Sequence, residues 1–160
     1  MNSVLLDTSF LISFSDTTSA HHATALRYYR ECIHKQVPMY LSTIVISEFQ
    51  VRQPINDLPL RNFIILPFNV DHAMACGLLL NSMPRDEADD RVRVKDDFKL
   101  MAQCECEGIT HLFCEDAKTL AKYVARRITS GGPNTTRAIL MKDGFDGSCF
   151  DNGQAHLPYE

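Results

Sequence analysis

A short apolar run, Ser3-Val4-Leu5-Leu6, stops abruptly at Asp7, and this constrains the fold more than any other feature of the chain. An apolar run of that length without alternation reads as a strand buried on both faces, the kind found in parallel sheets covered by helices. The rest of the chain keeps the matching rhythm. Thr8 and Ser9 can cap a short helical run, Phe10–Phe14. From Ala20 to Lys35, His22, Leu26, Tyr29 and Ile33 recur at helical spacing, which predicts an amphipathic helix. Val37–Leu41 is the second strand. Ser42 or Thr43 opens a helix through Gln50, and Pro54 keeps it from running much further. Phe63–Phe68 reads equally as a helix end or a short strand, and Asp71–Leu80 as a helix. Residues 84–95 are so densely charged that a loop is expected. Asp96 or Asp97 starts the next helix, with Leu100, Met101 and Cys104 inward, and Gly108 ends it. Ile109–Phe113 is a strand, and Ala117, Leu120, Ala121, Val124 and Ile128 mark another helix. Gly131–Asn134 reads as a turn, Arg137–Lys142 as a final strand, and the residues from Asp143 on as turn-rich. Strands alternating with helices predict a parallel sheet flanked by helices, with ligand sites beyond the carboxyl ends of the strands.

The 160 residues suffice for one domain with a real core. Residues 1–130 are expected to form it, with 131–160 a C-terminal extension packed on the same domain or partly disordered. No run approaches the roughly eighteen apolar residues of a membrane span. Met1-Asn2-Ser3 brings no side-chain positive charge and Asp7 interrupts the apolar stretch, so no export signal is expected and the location is cytoplasmic. Cys32, Cys76, Cys104, Cys106, Cys114 and Cys149 then read as thiols in a reducing compartment, and the paired C-x-x-C spacing of a zinc site is absent. The net charge of −4 opposes nucleic-acid binding, unless an acidic cluster holds cations that reverse the local field.

Four carboxylates supply such a cluster. Asp7 and Asp116 follow the first strand and Ile109–Phe113, Glu48 lies inside the apolar helix Thr-Ile-Val-Ile-Ser-Glu-Phe, and Asp97 begins a helix whose dipole favours its ionised form. Taken singly, each has an ordinary reading: Asp7, Asp97 and Asp116 as helix caps, Glu48 as a solvent-facing acid or a partner for Arg52. Gathered at one sheet end, acids repel and raise one another's pKa values unless cations neutralise them. Oxygen ligands suit Mg²⁺ or Mn²⁺. Two such ions activate an attacking water and stabilise the departing oxygen of a phosphodiester. His21 and His22 lie outside the acidic segments.

The order of these acids carries a resemblance. Val-Leu-Leu-Asp7-Thr-Ser-Phe-Leu-Ile resembles the opening of PIN-domain nucleases, and Ser47-Glu48, preceded by Leu41-Ser42-Thr43, resembles their second motif. Lys95-Asp96-Asp97-Phe98-Lys99-Leu100-Met101-Ala102 looks like the third motif and Leu112-Phe113-Cys114-Glu115-Asp116 like the fourth. The match spans Ser3–Asp116 and departs from the family at Cys114, where Thr or Ser is common. It implies a PIN-like three-layer α/β/α sandwich with a central parallel sheet. It also implies an Mg²⁺- or Mn²⁺-dependent endoribonuclease that leaves a 5′-phosphate and a 3′-hydroxyl. Asp7, Glu48, Asp97 and Asp116 are the implied ligands, with Asp96 the neighbouring alternative to Asp97. Among small members, VapC-type toxins are the nearest analogy, which implies a cognate antitoxin that inserts a segment into the acidic site, and a homodimer.

For an RNA substrate, Lys118, Lys122 and Arg126 form one stripe four residues apart, and Arg91, Arg93 and Lys95 alternate before Asp97. Each group also reads as an ordinary surface: a solvated helix face for the first, ion pairs with Asp86 to Asp90 for the second. Two further functions stand beside the nuclease. A haloacid-dehalogenase-like phosphatase has an aspartate after strand one but needs a second Asp where this chain has Ser9. A catalytically degenerate PIN-like scaffold would only bind RNA or protein partners.

Overall fold

The computed structural model describes residues 1–115, 117–132 and 136–151. Among these, five strands form one wholly parallel sheet: β1 (Val4–Leu6), β2 (Met39–Ser42), β3 (Ile64–Leu66), β4 (His111–Cys114) and β5 (Arg137–Leu140). Six helices flank it: α1 (Thr8–Ser15), α2 (His22–His34), α3 (Thr43–Arg52), α4 (Val70–Ser82), α5 (Arg91–Glu107) and α6 (Leu120–Thr129). The sheet order is β3-β2-β1-β4-β5. The chain therefore leaves β1 towards one edge and leaves β4 towards the other. Such a reversal opens a crevice at the carboxyl ends of the two central strands, which is where the sheet can receive a ligand. Leu6 pairs with Phe113, and the Asp7 amide donates to the Phe113 carbonyl at 2.9 Å, so the register of β1 on β4 fixes where Asp7 emerges.

Both central strands are wholly buried, as their apolar runs require. Phe113 anchors one face of the sheet, with its ring centroid 5.2 Å from Phe10 and 5.1 Å from Tyr28. The chain after β5 returns over the same cluster. Tyr28 Oη donates to the Gly144 carbonyl at 3.2 Å and accepts from the Asp146 amide at 2.9 Å. Phe150 is buried with its ring 5.1 Å from His111 and 6.2 Å from Phe113. None of the six cysteines forms a disulfide among the described residues.

The largest departure from the sequence expectation is at residues 91–95, which belong to the first turns of α5 and not to a loop. The N-cap is Asp90, whose carboxylate accepts from the Arg93 amide at 2.8 Å, in place of Asp96 or Asp97. Val94 and Phe98 sit one turn apart and are buried, while Arg91, Arg93 and Lys95 are exposed. A helix with so narrow an apolar stripe and so charged an outer face looks like a loop in sequence. Asp97 consequently lies beyond the first turn, where the helix dipole gives little help to its charge.

Smaller shifts follow the same logic. Asp7 caps α1, accepting from the Ser9 amide, so Thr8 and Ser9 fall inside the helix's first turn. The buried stripe of α2 is Ala25, Tyr28 and Cys32, rotated from the expected one because Tyr28 packs on Phe113; Ile33 is left 47% exposed. The apolar stretch Phe63–Phe68 resolves into β3. Residues 117–119 are a turn, so α6 starts at Leu120, and the final strand stops at Leu140.

Phe113→Ala should cost about 3–5 kcal/mol of stability, since it removes a fully buried ring and leaves a cavity among three aromatic neighbours. Urea unfolding of the two proteins measures it; a loss under about 1 kcal/mol would mean this cluster is not the core.

Candidate active site

The crevice at the ends of β1 and β4 is a cleft of about 510 Å³ lined by residues from several elements. Asp7 and Ser9 come from the β1–α1 turn, Glu48 from α3, Arg93 and Asp97 from α5, and Cys114, Glu115, Lys118 and Thr119 from the β4–α6 connection. Three of the four expected carboxylates, Asp7, Glu48 and Asp97, therefore line it. Asp116 lies outside the described residues. Asp96 does not line the cleft; its carboxylate accepts from Lys99 Nζ at 2.9 Å.

Short polar side chains hold the acids. Ser9 Oγ donates to Asp7 Oδ2 at 2.6 Å and accepts from the Glu115 amide at 2.9 Å. One hydroxyl thus joins the ends of both central strands. Thr8 Oγ1 donates to Glu48 Oε2. Thr119 stands near enough to favour the Asp97 charge, yet Asp97 Oδ2 is buried and has no hydrogen-bond partner among the described residues. The rest of the residue is only 8% exposed, so that oxygen is not satisfied by bulk water.

The electrostatics follow from this burial. Burial pushes the Asp7 carboxyl above its ordinary pKa, against the lowering effect of its bonds to Ser9. Glu48 is raised by burial and by the charges of Asp7 and Asp96, against its bond to Thr8. Asp97 is pushed up to about 7 by burial, with the charges of Asp7 and Glu48 adding to it and Thr119 and Arg93 opposing it. Desolvated carboxylates whose neighbouring donors do not offset the penalty are suited to a bound cation. The donor set is all oxygen, which fits a hard divalent ion, and the orphaned Asp97 oxygen gives that ion an unfilled coordination partner. Among the described residues, no three His, Cys, Asp or Glu side chains lie close enough together to hold a metal ion.

The basic candidates divide by position. Arg93 and Lys118 line the cleft. Lys122 and Arg126 instead pair with Asp86, and Lys122 also with Asp89. Arg91 and Lys95 are exposed on α5. Thr8, Ser9, Glu115 and Thr119 also line the cleft, although none of them stood out in the sequence as a site residue. The Asp-Thr-Ser run at a strand end was the available signal for the first two. Cys114 is buried at the cleft wall, its thiol facing the Ile139 carbonyl at 4.0 Å.

No protein-family profile and no curated protein sequence matches this chain. Solved structures do. The VapC20 toxin of Mycobacterium tuberculosis, described as cleaving the sarcin–ricin loop, superposes with a TM-score of 0.56 at 19% identity, over 78% of this chain and 95% of the toxin chain. A chain of a toxin–antitoxin complex from Klebsiella pneumoniae gives 0.53 at 20% identity, over 74% and 91%. A chain of DNA-bound VapBC from Salmonella typhimurium gives 0.52 at 16% identity, over 88% and 99%. The parallel α/β/α sandwich described above is therefore a PIN-like fold, shared with these toxin and toxin-complex chains.

The raised Asp97 has a consequence for stability. Between its ordinary value of 3.8 and about 7, the folded metal-free protein keeps a proton that the unfolded chain has released. Stability therefore falls as pH rises through that window. Asp97→Asn removes the buried charge, so the metal-free variant should be more stable than the parent by about 1–3 kcal/mol at about pH 8. The gap should shrink towards about pH 4. Urea titrations in EDTA across that range check this, and a gap independent of pH would contradict it.

Proposed function

We propose that this protein is a divalent-metal-dependent endoribonuclease, hydrolysing RNA phosphodiester bonds as the toxin of a toxin–antitoxin pair. The observation that carries the reading is that Asp7, Glu48 and Asp97 line the crevice between β1 and β4, with one Asp97 oxygen buried and unpartnered among the described residues. In this reading Asp7, Glu48, Asp97 and Asp116 hold Mg²⁺ or Mn²⁺, with Asp96 the less favoured alternative because Lys99 occupies it. When bound, the metal supplies Lewis-acid activation of water and neutralises charge on the phosphate.

The chain's own residues do the rest. Ser9 and Thr8 aim Asp7 and Glu48, so the carboxylates need no reorganisation when the charge arrives. Arg93 and Lys118 place positive charge on the cleft wall, where an RNA phosphate would lie. Arg91, Lys95, Lys122 and Arg126 are outlying candidates for the same backbone, the last two after release from Asp86 and Asp89. A haloacid-dehalogenase-like reading needs a carboxylate where Ser9 stands, and Ser9 is already engaged as a hydrogen-bond bridge.

The same reading includes a cognate antitoxin, which would insert a segment into the acidic cleft, and a homodimer. Support for the homodimer is the outer face of α4, where Val70, Met74 and Leu78 recur every four residues and are 74%, 66% and 71% exposed. Activity in the cytoplasm belongs to this proposal too; among the described residues no helix is long and apolar enough to cross a membrane.

Purified protein should cleave RNA in Mn²⁺ and lose that activity in EDTA. Asp7→Asn and Asp97→Asn should each reduce cleavage by about 100-fold or more, because losing a ligand exceeds the loss of an outer-shell partner. Cleavage that persists in EDTA, or that both variants retain, would overturn the metal mechanism. Metal-dependent phosphatase activity without RNA cleavage would favour the dehalogenase-like alternative, and metal binding with no hydrolysis at all the scaffold.

A further inference from the structure

The connection between α4 and α5 carries a dense set of bonds that the proposed chemistry does not use. Arg85 Nη1 donates to the carbonyls of Asp86, at 3.1 Å, and Glu87, at 3.3 Å, and to that of Asp89, which closes residues 85–89 on themselves. This closed loop is moored to α6. Arg126 makes a two-pronged contact with Asp86 at 2.8 and 2.6 Å, and Lys122 reaches Asp86 at 3.0 Å and Asp89 at 2.5 Å. At the centre stands Tyr123, fully buried, whose hydroxyl accepts from the Asp86 amide at 3.0 Å and donates to Asp89 Oδ2 at 2.6 Å.

These contacts differ in weight. The ion pairs of Arg126 and Lys122 are partly exposed, and exposed pairs contribute little. A buried hydroxyl serving both a backbone amide and a carboxylate is different, because its removal takes a partner from each. The phenol also faces α5 directly, with its ring 5.2 Å from Phe98. Immediately beyond Asp89 comes Asp90, the cap of α5, and then Arg93 and Asp97 in the cleft. The first turn of that helix is exposed at Arg91, Val92 and Arg93, so the core holds it only through Val94 and Phe98.

We propose that Tyr123 is a positioning residue for the acidic cleft: its hydroxyl locks residues 85–90 onto α6 and thereby fixes the first two turns of α5, with Arg93 and Asp97, against the other carboxylates. The part of this that concerns metal and RNA rests on the nuclease reading above. The mooring itself rests on the contacts alone.

Tyr123→Phe keeps the ring and removes the hydroxyl, and Asp89→Asn weakens the same bond from the other side. Glu105→Gln is the control, since it cuts the separate tie between α5 and α6, where Arg127 Nε meets Glu105 Oε1 at 2.6 Å. Hydrogen exchange by mass spectrometry should show amides 91–97 exchanging about tenfold faster in the first two variants, with β1 and β4 unchanged. Mn²⁺ affinity should fall about tenfold in those two and stay at the parental value in Glu105→Gln. Unchanged exchange at 91–97 in Tyr123→Phe and Asp89→Asn would overturn the proposal, as would faster exchange spread evenly over the sheet. The same effect from Glu105→Gln would also overturn it. If the parent protein binds no Mn²⁺, the nuclease reading fails, while the exchange comparison still decides the mooring.

Discussion

The Ser9 hydroxyl, between Asp7 Oδ2 and the Glu115 amide, is the contact on which the site depends. Parallel pairing brings β1 and β4 side by side, but pairing ends at Leu6 and Phe113 on the β1 edge. Past that point the two chains diverge, one into α1 and one towards α6. A single side-chain oxygen bridges the gap and gives the Asp7 carboxylate a fixed direction. Everything else in the cleft is arranged about that direction: Glu48 arrives from α3 with Thr8 as its donor, and Asp97 arrives from α5 with one oxygen unmet.

This arrangement opposes the electrostatics of an isolated protein. Three acids are partly or fully withdrawn from water at the same place, and each is pushed above its usual pKa mainly by that withdrawal. Arg93 reduces the penalty at all three without removing it. A fold keeps such a cluster when something outside the chain completes it, and for an all-oxygen donor set a hard divalent cation is the natural complement. The acidic net charge, which by itself argues against a nucleic-acid partner, is consistent with RNA binding once part of it is neutralised in the cleft.

The central sheet was legible in sequence because β1 and β4 are short apolar runs with acids at their ends. The placement of Asp7 and Glu48 followed from the same pattern. Residues 91–95 were not legible as helix, because a start held in the apolar core by Val94 and Phe98 shows almost no apolar period. That one error moved Asp97 from a helix start, where its charge would be favoured, to a buried second turn, where it is not. The mooring of residues 85–90 by Tyr123 was equally hidden. It depends on a contact between residues more than thirty positions apart, while the local charge pattern suggested pairing with Arg91 to Lys95.

The central claim is that these buried acids are the ligands of a divalent ion. Calorimetric titration of the protein with Mn²⁺, in buffers of different ionisation enthalpy, tests it most directly, because ligands must lose their protons to bind. With Asp97 raised to about 7, binding at about pH 6 should release about one proton and binding at about pH 8 close to none. Affinity should rise between the two. No detectable Mn²⁺ binding at either pH, or binding with no proton release at the lower one, would contradict the account.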